Sequence, residues 1–120
     1  MKLFYTSSTE YLRNRISLSS GSYIRKQFSD GELYIKLTEN VTNQEVWVIA
    51  STYSPSYNLR ELFLLLDALE RNGATINLFM PYFGYARQDR AQQGEAASAQ
   101  VIANILKQFR LNSISIIDAH

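Results

Sequence analysis

The chain has 120 residues, 46% of them hydrophobic and 19% charged, with a formal net charge of +1. That length fits one domain with a sizeable core, and the balance of apolar and charged residues is that of a globular protein, not a disordered one. The small net charge argues against a nucleic-acid surface built on bulk electrostatics, and the absence of cysteine excludes disulfides, zinc-thiolate sites and a thiol nucleophile.

Cysteine usage leans towards a cytoplasmic protein. The N-terminus, MKLFYTSS, has one lysine and no sustained apolar stretch, so no signal peptide is expected. The longest apolar run, within residues 62–69, is interrupted by Asp67 and is too short to cross a membrane.

Residues 2–6 read as a short strand, and Ser7 or Ser8 is placed to cap a helix to about Ile16, where Tyr11, Leu12 and Ile16 have helical spacing. Residues 17–22, SLSSGS, are the most polar and flexible piece, too brief for an interdomain linker. A hairpin is expected from residues 23–28 and 33–37. Leu33, Ile35 and Leu37 alternate with Tyr34, Lys36 and Thr38, and Asp30-Gly31 is a tight-turn signal between the arms. The turn accounts for Asp30 and Gly31 but not for Phe28 and Glu32 beside them.

Residues 46–50 are continuous, apolar and largely β-branched, the mark of a buried parallel strand, and Ser51-Thr52 follow at its carboxyl end. A helix is expected from near Asn58, with Glu61 at capping-box spacing. Leu59, Leu62, Phe63, Leu66 and Leu69 make its core face, Leu64 and Leu65 widen that face, and Asn72-Gly73 stops it. Asp67, inside this apolar helix, reads as exposed or paired. Residues 75–80 are the next strand. A helix over 97–109 follows, with Val101, Ile102, Ile105, Leu106 and Phe109 as its apolar face, and residues 113–117 are the last strand.

Strands alternating with helices at these spacings predict an α/β fold, a doubly wound, mostly parallel sheet flanked by helices, with a β-hairpin extension. Ligands of such sheets sit beyond the carboxyl ends of the strands. Three polar clusters fall there: Ser51-Thr52, the run Arg87-Gln88-Asp89-Arg90, and Asp118 with His120.

The second cluster belongs to the stretch around which the chain is organised, MPYFGYARQDR. Pro81 ends a strand; Tyr82, Phe83 and Tyr85 around Gly84 form an aromatic pedestal. Two guanidinium forks, an amide and a carboxylate then suit phosphate and purine recognition, the alternative being a solvated charged loop. Asp118 and His120 are an i, i+2 pair leaving a strand, suited to a divalent ion beside a polyphosphate, the alternative being a surface histidine. No Walker loop, no Gly-x-Gly-x-x-Gly after a strand and no Gly-x-Ser-x-Gly elbow is present. The residues alone lead to a nucleotide or phosphate site at the sheet edge.

FSDGE at residues 28–32, PYFGYARQDR at 81–90 and Asp118-Ala119-His120 closely resemble the N-terminal half of ribose-phosphate pyrophosphokinases, also called phosphoribosyl pyrophosphate synthetases. Asn58-Leu59-Arg60-Glu61-Leu62 and Asp67-Ala68-Leu69 also match that family's pattern, so the resemblance covers essentially the whole chain. It implies a phosphoribosyltransferase-like fold, and transfer of the β,γ-diphosphoryl group of MgATP to the 1-hydroxyl of ribose 5-phosphate, releasing AMP.

By the same resemblance, the turn carrying Phe28, Asp30, Gly31 and Glu32 contacts the adenine from a neighbouring subunit, while Arg87 and Gln88, with Asp89 beside them, hold the nucleotide from the other side. His120 sits at the Mg²⁺-phosphate centre, with Asp118 a metal partner. A homo-oligomer is expected, dimers building to a hexamer in the family, with no nucleic-acid or membrane partner. The segment after R-Q-D-R, residues 91–97, departs from the family's basic, proline-containing version and carries no positive charge. Residues 1–120 correspond to the ATP-binding domain; the ribose-5-phosphate-binding domain is not among them, so the chain is expected to be a fragment, inactive alone. A non-catalytic synthetase-associated assembly module or nucleotide-binding module is the alternative.

Overall fold

The computed structural model describes residues 1–52, 57–84 and 90–117. A four-stranded sheet in the order β1-β4-β5-β6 is built from β1 (Lys2–Tyr5), β4 (Glu45–Ile49), β5 (Thr75–Met80) and β6 (Leu111–Ile116). All three pairings are parallel, with Phe4 opposite Val48, Val48 opposite Leu78, and Leu78 opposite Ile114. The hairpin β2 (Tyr23–Gln27) and β3 (Leu33–Leu37) forms a separate antiparallel sheet. Helices α1 (Tyr57–Arg71) and α2 (Ser98–Leu106) fill the connections β4–β5 and β5–β6, as parallel strands require.

Alternation along each strand divides the side chains between two layers. On one face Phe4, Val46, Val48, Ile76, Leu78 and Met80 pack against Leu59, Leu62, Leu65, Leu66 and Leu69 of α1 and Ala99, Ile102 and Leu106 of α2. On the other, Leu3, Tyr5 and Ile49 pack with Trp47, Phe79, Leu12 and Ile16. Between these apolar groups, Asn77 is buried and satisfied across the sheet. Its amide donates to Glu45 (2.9 Å), and its carbonyl oxygen accepts from Asn112 (2.8 Å) and Ser113 (2.7 Å).

Several local expectations change. The first helix is a 3-10 segment, Ser7–Arg15, and its N-cap is Thr6, with no side-chain capping bond. Neither Ser7 nor Ser8 caps it, because both hydroxyls are engaged elsewhere: Ser7 Oγ with Glu61, and Ser8 Oγ with Thr6 Oγ1 and the Ser51 N–H. The polar segment expected to be flexible bonds to the free edge of β1: Leu3 N donates to Ser19 O and Gly21 N to Leu3 O (2.9 and 2.8 Å). Gly21 is buried there because the Phe4 ring occupies the place where a Cβ would go.

Asn58 lies inside α1, and the Glu61 carboxylate turns away from the helix terminus, so that pair is no capping box. Of the two leucines expected to widen the core face of α1, Leu65 is fully buried and does so, while Leu64 is 39% exposed. On α2, Val101 (50%) and Ile105 (37%) are also outside, because a helix lying on one sheet buries only the stripe through Ala99, Ile102 and Leu106. Other expectations hold. Gly73 ends α1 at φ 84°, with Ala74 N donating to Leu69 O, and Asp67 pairs with Arg71 at 2.8 Å on the exposed side of α1. No helix among the described residues is long and apolar enough to cross a membrane.

Candidate functional site

Because the four sheet strands are parallel, Tyr5, Ile49, Met80 and Ile116 end at one edge. Ser51 and Thr52, just past β4, are buried there and do not face solvent as free hydroxyl donors. Ser51 N donates to Ser8 Oγ (3.0 Å), Thr52 N donates to Tyr82 O (3.1 Å), and Thr52 Oγ1 accepts the Gly84 N–H (2.7 Å). Their role is to pin the loop leaving β5. Of the aromatic pedestal, Phe83 is buried in the core and Tyr82 is exposed. Arg87, Gln88, Asp89, Asp118 and His120 lie outside the described residues, as does Tyr85. The flanking backbone leads to both groups from this edge: Gly84 is held by Thr52, and Ile117 N donates to Met80 O (3.3 Å).

The hairpin tip is described in full. Gly31 takes φ 95°, which only glycine adopts without strain, and Asp30 Oδ1 accepts the Glu32 N–H (3.0 Å) to close the turn. That hydrogen bond favours the ionised carboxyl and holds Asp30 below the usual carboxylate range. Phe28 N donates to Glu32 O (2.8 Å), so the turn is rigid at its base. The Phe28 ring is 51% exposed, 6.1 Å from Tyr34, and Glu32 is exposed beside it. Arg60 of α1 reaches Gly31 O at 3.4 Å. The tip thus presents an aromatic face and carboxylates outwards. Its contacts are with α1 and with its own hairpin, and the described part of the sheet edge takes no part in it.

Sequence reasoning missed a polar centre behind the hairpin. Glu61, with its side chain 1% exposed, takes three hydrogen bonds on Oε2: Ser7 N–H and Ser7 Oγ at 3.1 Å each, and Tyr23 OH at 2.6 Å. Arg25 Nε stands 3.3 Å from Oε1, and its guanidinium lies over the Tyr57 ring. Burial, followed by the hydrogen bond to Glu61, pushes the Tyr23 phenol far above its ordinary value; burial also raises Tyr5, against the opposing pull of Arg13 over its ring. Tyr5, Ser7, Tyr23, Arg25 and Glu61 line an open pocket of about 340 Å³ between the 3-10 segment, β2 and α1. A signal was present: Glu61 lies three residues after Asn58 and four before Leu65, all buried positions of one helical stripe. No group of three or more His, Cys, Asp or Glu suited to a metal ion occurs among the described residues.

A model of the N-terminal domain of ribose phosphate pyrophosphokinase matches residues 1–109. The chain belongs to this family. It is 38% identical to ribose-phosphate pyrophosphokinase 1 of Streptococcus pneumoniae and 39% identical to ribose-phosphate pyrophosphokinase 2 of Enterococcus faecalis. Each alignment covers 100% of this chain and 39% of the relative, so the chain spans about two fifths of the curated relatives it matches. The crystal structure of phosphoribosylpyrophosphate synthetase from Mycobacterium smegmatis superposes with a TM-score of 0.87 at 27% identity, over 99% of this chain and 42% of that one. The pyrophosphokinase N-terminal fold therefore includes both the parallel sheet and the hairpin seen here.

Proposed function

We propose that this chain is the nucleotide-binding half of a ribose-phosphate pyrophosphokinase, which transfers diphosphate from MgATP to the 1-hydroxyl of ribose 5-phosphate and releases AMP. The observation that carries the reading is the parallel register of β4, β5 and β6, which brings Gly84 and Ile117, the residues next to the two motifs in sequence, to one sheet edge. In this reading Arg87 and Gln88, with Asp89 beside them, hold the triphosphate and base. The turn residues Phe28, Asp30, Gly31 and Glu32 serve the adenine pocket of another subunit in a homo-oligomer. An exposed aromatic ring on a rigid tip suits base stacking.

Asp118 and His120 supply a carboxylate oxygen and an imidazole nitrogen, a donor set that fits a divalent ion carried by phosphates. Mg²⁺ bound there would neutralise phosphate charge. The protein's remaining work is positioning: guanidinium forks fix the nucleotide so that the acceptor hydroxyl attacks in line, and their charge stabilises the transferring group.

The test is Arg87→Ala in the full-length protein. Nucleotide affinity measured by calorimetry should fall by roughly 1.5–3 kcal/mol, the range for a lost charge-assisted hydrogen bond. Unchanged affinity removes Arg87 from the site.

A further inference from the structure

The hairpin is a separate sheet, and its β3 meets α1 with Ile35 and Leu37, only partly buried, packed against the core. Apolar contact of that kind is non-directional and leaves the angle of a two-stranded hairpin weakly specified. Arg60 on Gly31 O and the Glu39 pairing with Lys2 and Ser22 add polar contacts at the tip and the base, and Glu61 adds a buried, directional one between them. Its carboxylate joins three stretches distant in sequence: Ser7 after β1, Tyr23 and Arg25 on β2, and the second turn of α1. The Tyr23 hydroxyl lies 3.0 Å from Tyr5 O as well as 2.6 Å from Glu61; with one proton, it donates to the nearer, charged acceptor. Arg25 is held at the same point by charge and by the Tyr57 ring.

We propose that Glu61 is a positioning residue, a buried latch that sets the angle of the β2–β3 hairpin on the body and so the place of the Phe28–Glu32 tip. The proposal rests on the reading that this tip serves a nucleotide site. Glu61 touches no nucleotide in this scheme; it acts through Tyr23 and Arg25, the first and third residues of the strand that leads to the tip. Ser7 fixes the carboxylate to the body with two hydrogen bonds, and Tyr23 and Arg25 then tie the hairpin to it at two points, a directional constraint that apolar contact does not supply.

Glu61→Gln in the full-length protein keeps the size and one acceptor oxygen but removes the charge. The KM for MgATP should rise roughly tenfold, with kcat and the KM for ribose 5-phosphate little changed, since about one charge-assisted bond's worth of orientation is lost. Gly73→Ala, which lowers stability far from the hairpin, should leave the KM for MgATP unmoved and so separates positioning from general destabilisation. Tyr23→Phe, which removes only one hydroxyl, should give the same direction of change if Glu61→Gln fails to fold.

Phe28→Ala distinguishes failure of the nucleotide reading from failure of the latch. If Phe28→Ala raises the KM and neither latch variant does, the latch is wrong. If Phe28→Ala changes nothing, the tip does not serve the nucleotide, and amide hydrogen exchange decides the latch alone. Faster exchange confined to residues 23–37 in Glu61→Gln supports it, and wild-type protection there overturns it.

Discussion

Glu61 shows how much a single carboxylate can organise when it is buried with its partners. Removing it as Glu61→Ala leaves Ser7 and Tyr23 without their shared acceptor and Arg25 without its ion-pair partner. Breaking a buried pair from one side usually costs about 3–5 kcal/mol, but Arg25 is partly exposed and can turn to water, so we expect about 2–3 kcal/mol by urea denaturation. The tyrosines give the centre an alkaline signature. Tyr23 and Tyr5 are both raised in the folded chain, so above about pH 10 the unfolded phenols lose protons that the folded ones keep, and stability falls as pH rises. Tyr23→Phe should flatten that alkaline limb in denaturation curves recorded between pH 8 and about 11.

At the level of elements, the joints between β1, the hairpin and α1 rest on a few polar residues at strand and helix ends. Glu39, just after β3, pairs with Lys2 of β1 and accepts the Ser22 N–H (3.0 Å). Partial burial alone would raise its pKa, but the Lys2 ammonium and the Ser22 N–H outweigh this and hold the carboxyl below its ordinary value. Folding thus favours the ionised form. Its contribution is complete above about pH 4.3 and is lost as pH falls through the lowered folded value. Glu39→Gln should therefore be less stable than wild type at pH 7 and lose less on acidification to pH 3, read by urea midpoints. Gly73 at the end of α1 is a backbone case: a Cβ would meet only ordinary contacts with Thr42, so the strain of φ 84° decides. Gly73→Ala should cost about 1–2 kcal/mol in the same assay.

For the whole molecule, the prediction is a folded but inactive chain. Two apolar layers close around the parallel sheet, with Val46, Val48, Leu62, Leu66, Ile76 and Leu78 fully buried, so a core forms from these residues. In the proposed reaction, transfer to ribose 5-phosphate also needs an acceptor-phosphate loop, which the proposal does not assign to these residues. Incubating the purified chain with MgATP and ribose 5-phosphate should give no acceptor-dependent AMP above a control without acceptor. AMP at a rate near that of a full-length synthetase would place the acceptor site within these residues. The exposed Phe28 tip leads to a companion expectation for the full-length protein: sedimentation at micromolar concentration should show an oligomer, and monomer alone would end the idea of an adenine pocket shared between subunits.

What the sequence determined by itself was periodic or local. The strand at Thr75–Met80 was legible from its apolar run, the hairpin from alternation about Asp30-Gly31, and the end of α1 from Asn72-Gly73, because each depends on the backbone preferences of adjacent residues. Ordered motifs identified the family for the same reason, being strings of neighbours. Other features needed partners far along the chain. Nothing near Ser7 or Ser8 marks them as ligands of Glu61 and Ser51 and not helix caps, since their acceptor and donor lie 54 and 43 residues away. Val101 and Ile105 carry the hydrophobicity of a core face, yet only the placement of α2 on one side of the sheet decides that Ile102 and Leu106 take the inside. Glu61 combines both limits: its spacing put it on the buried stripe, but only packing β2 and the segment after β1 against α1 supplies the donors that let a carboxylate stay there.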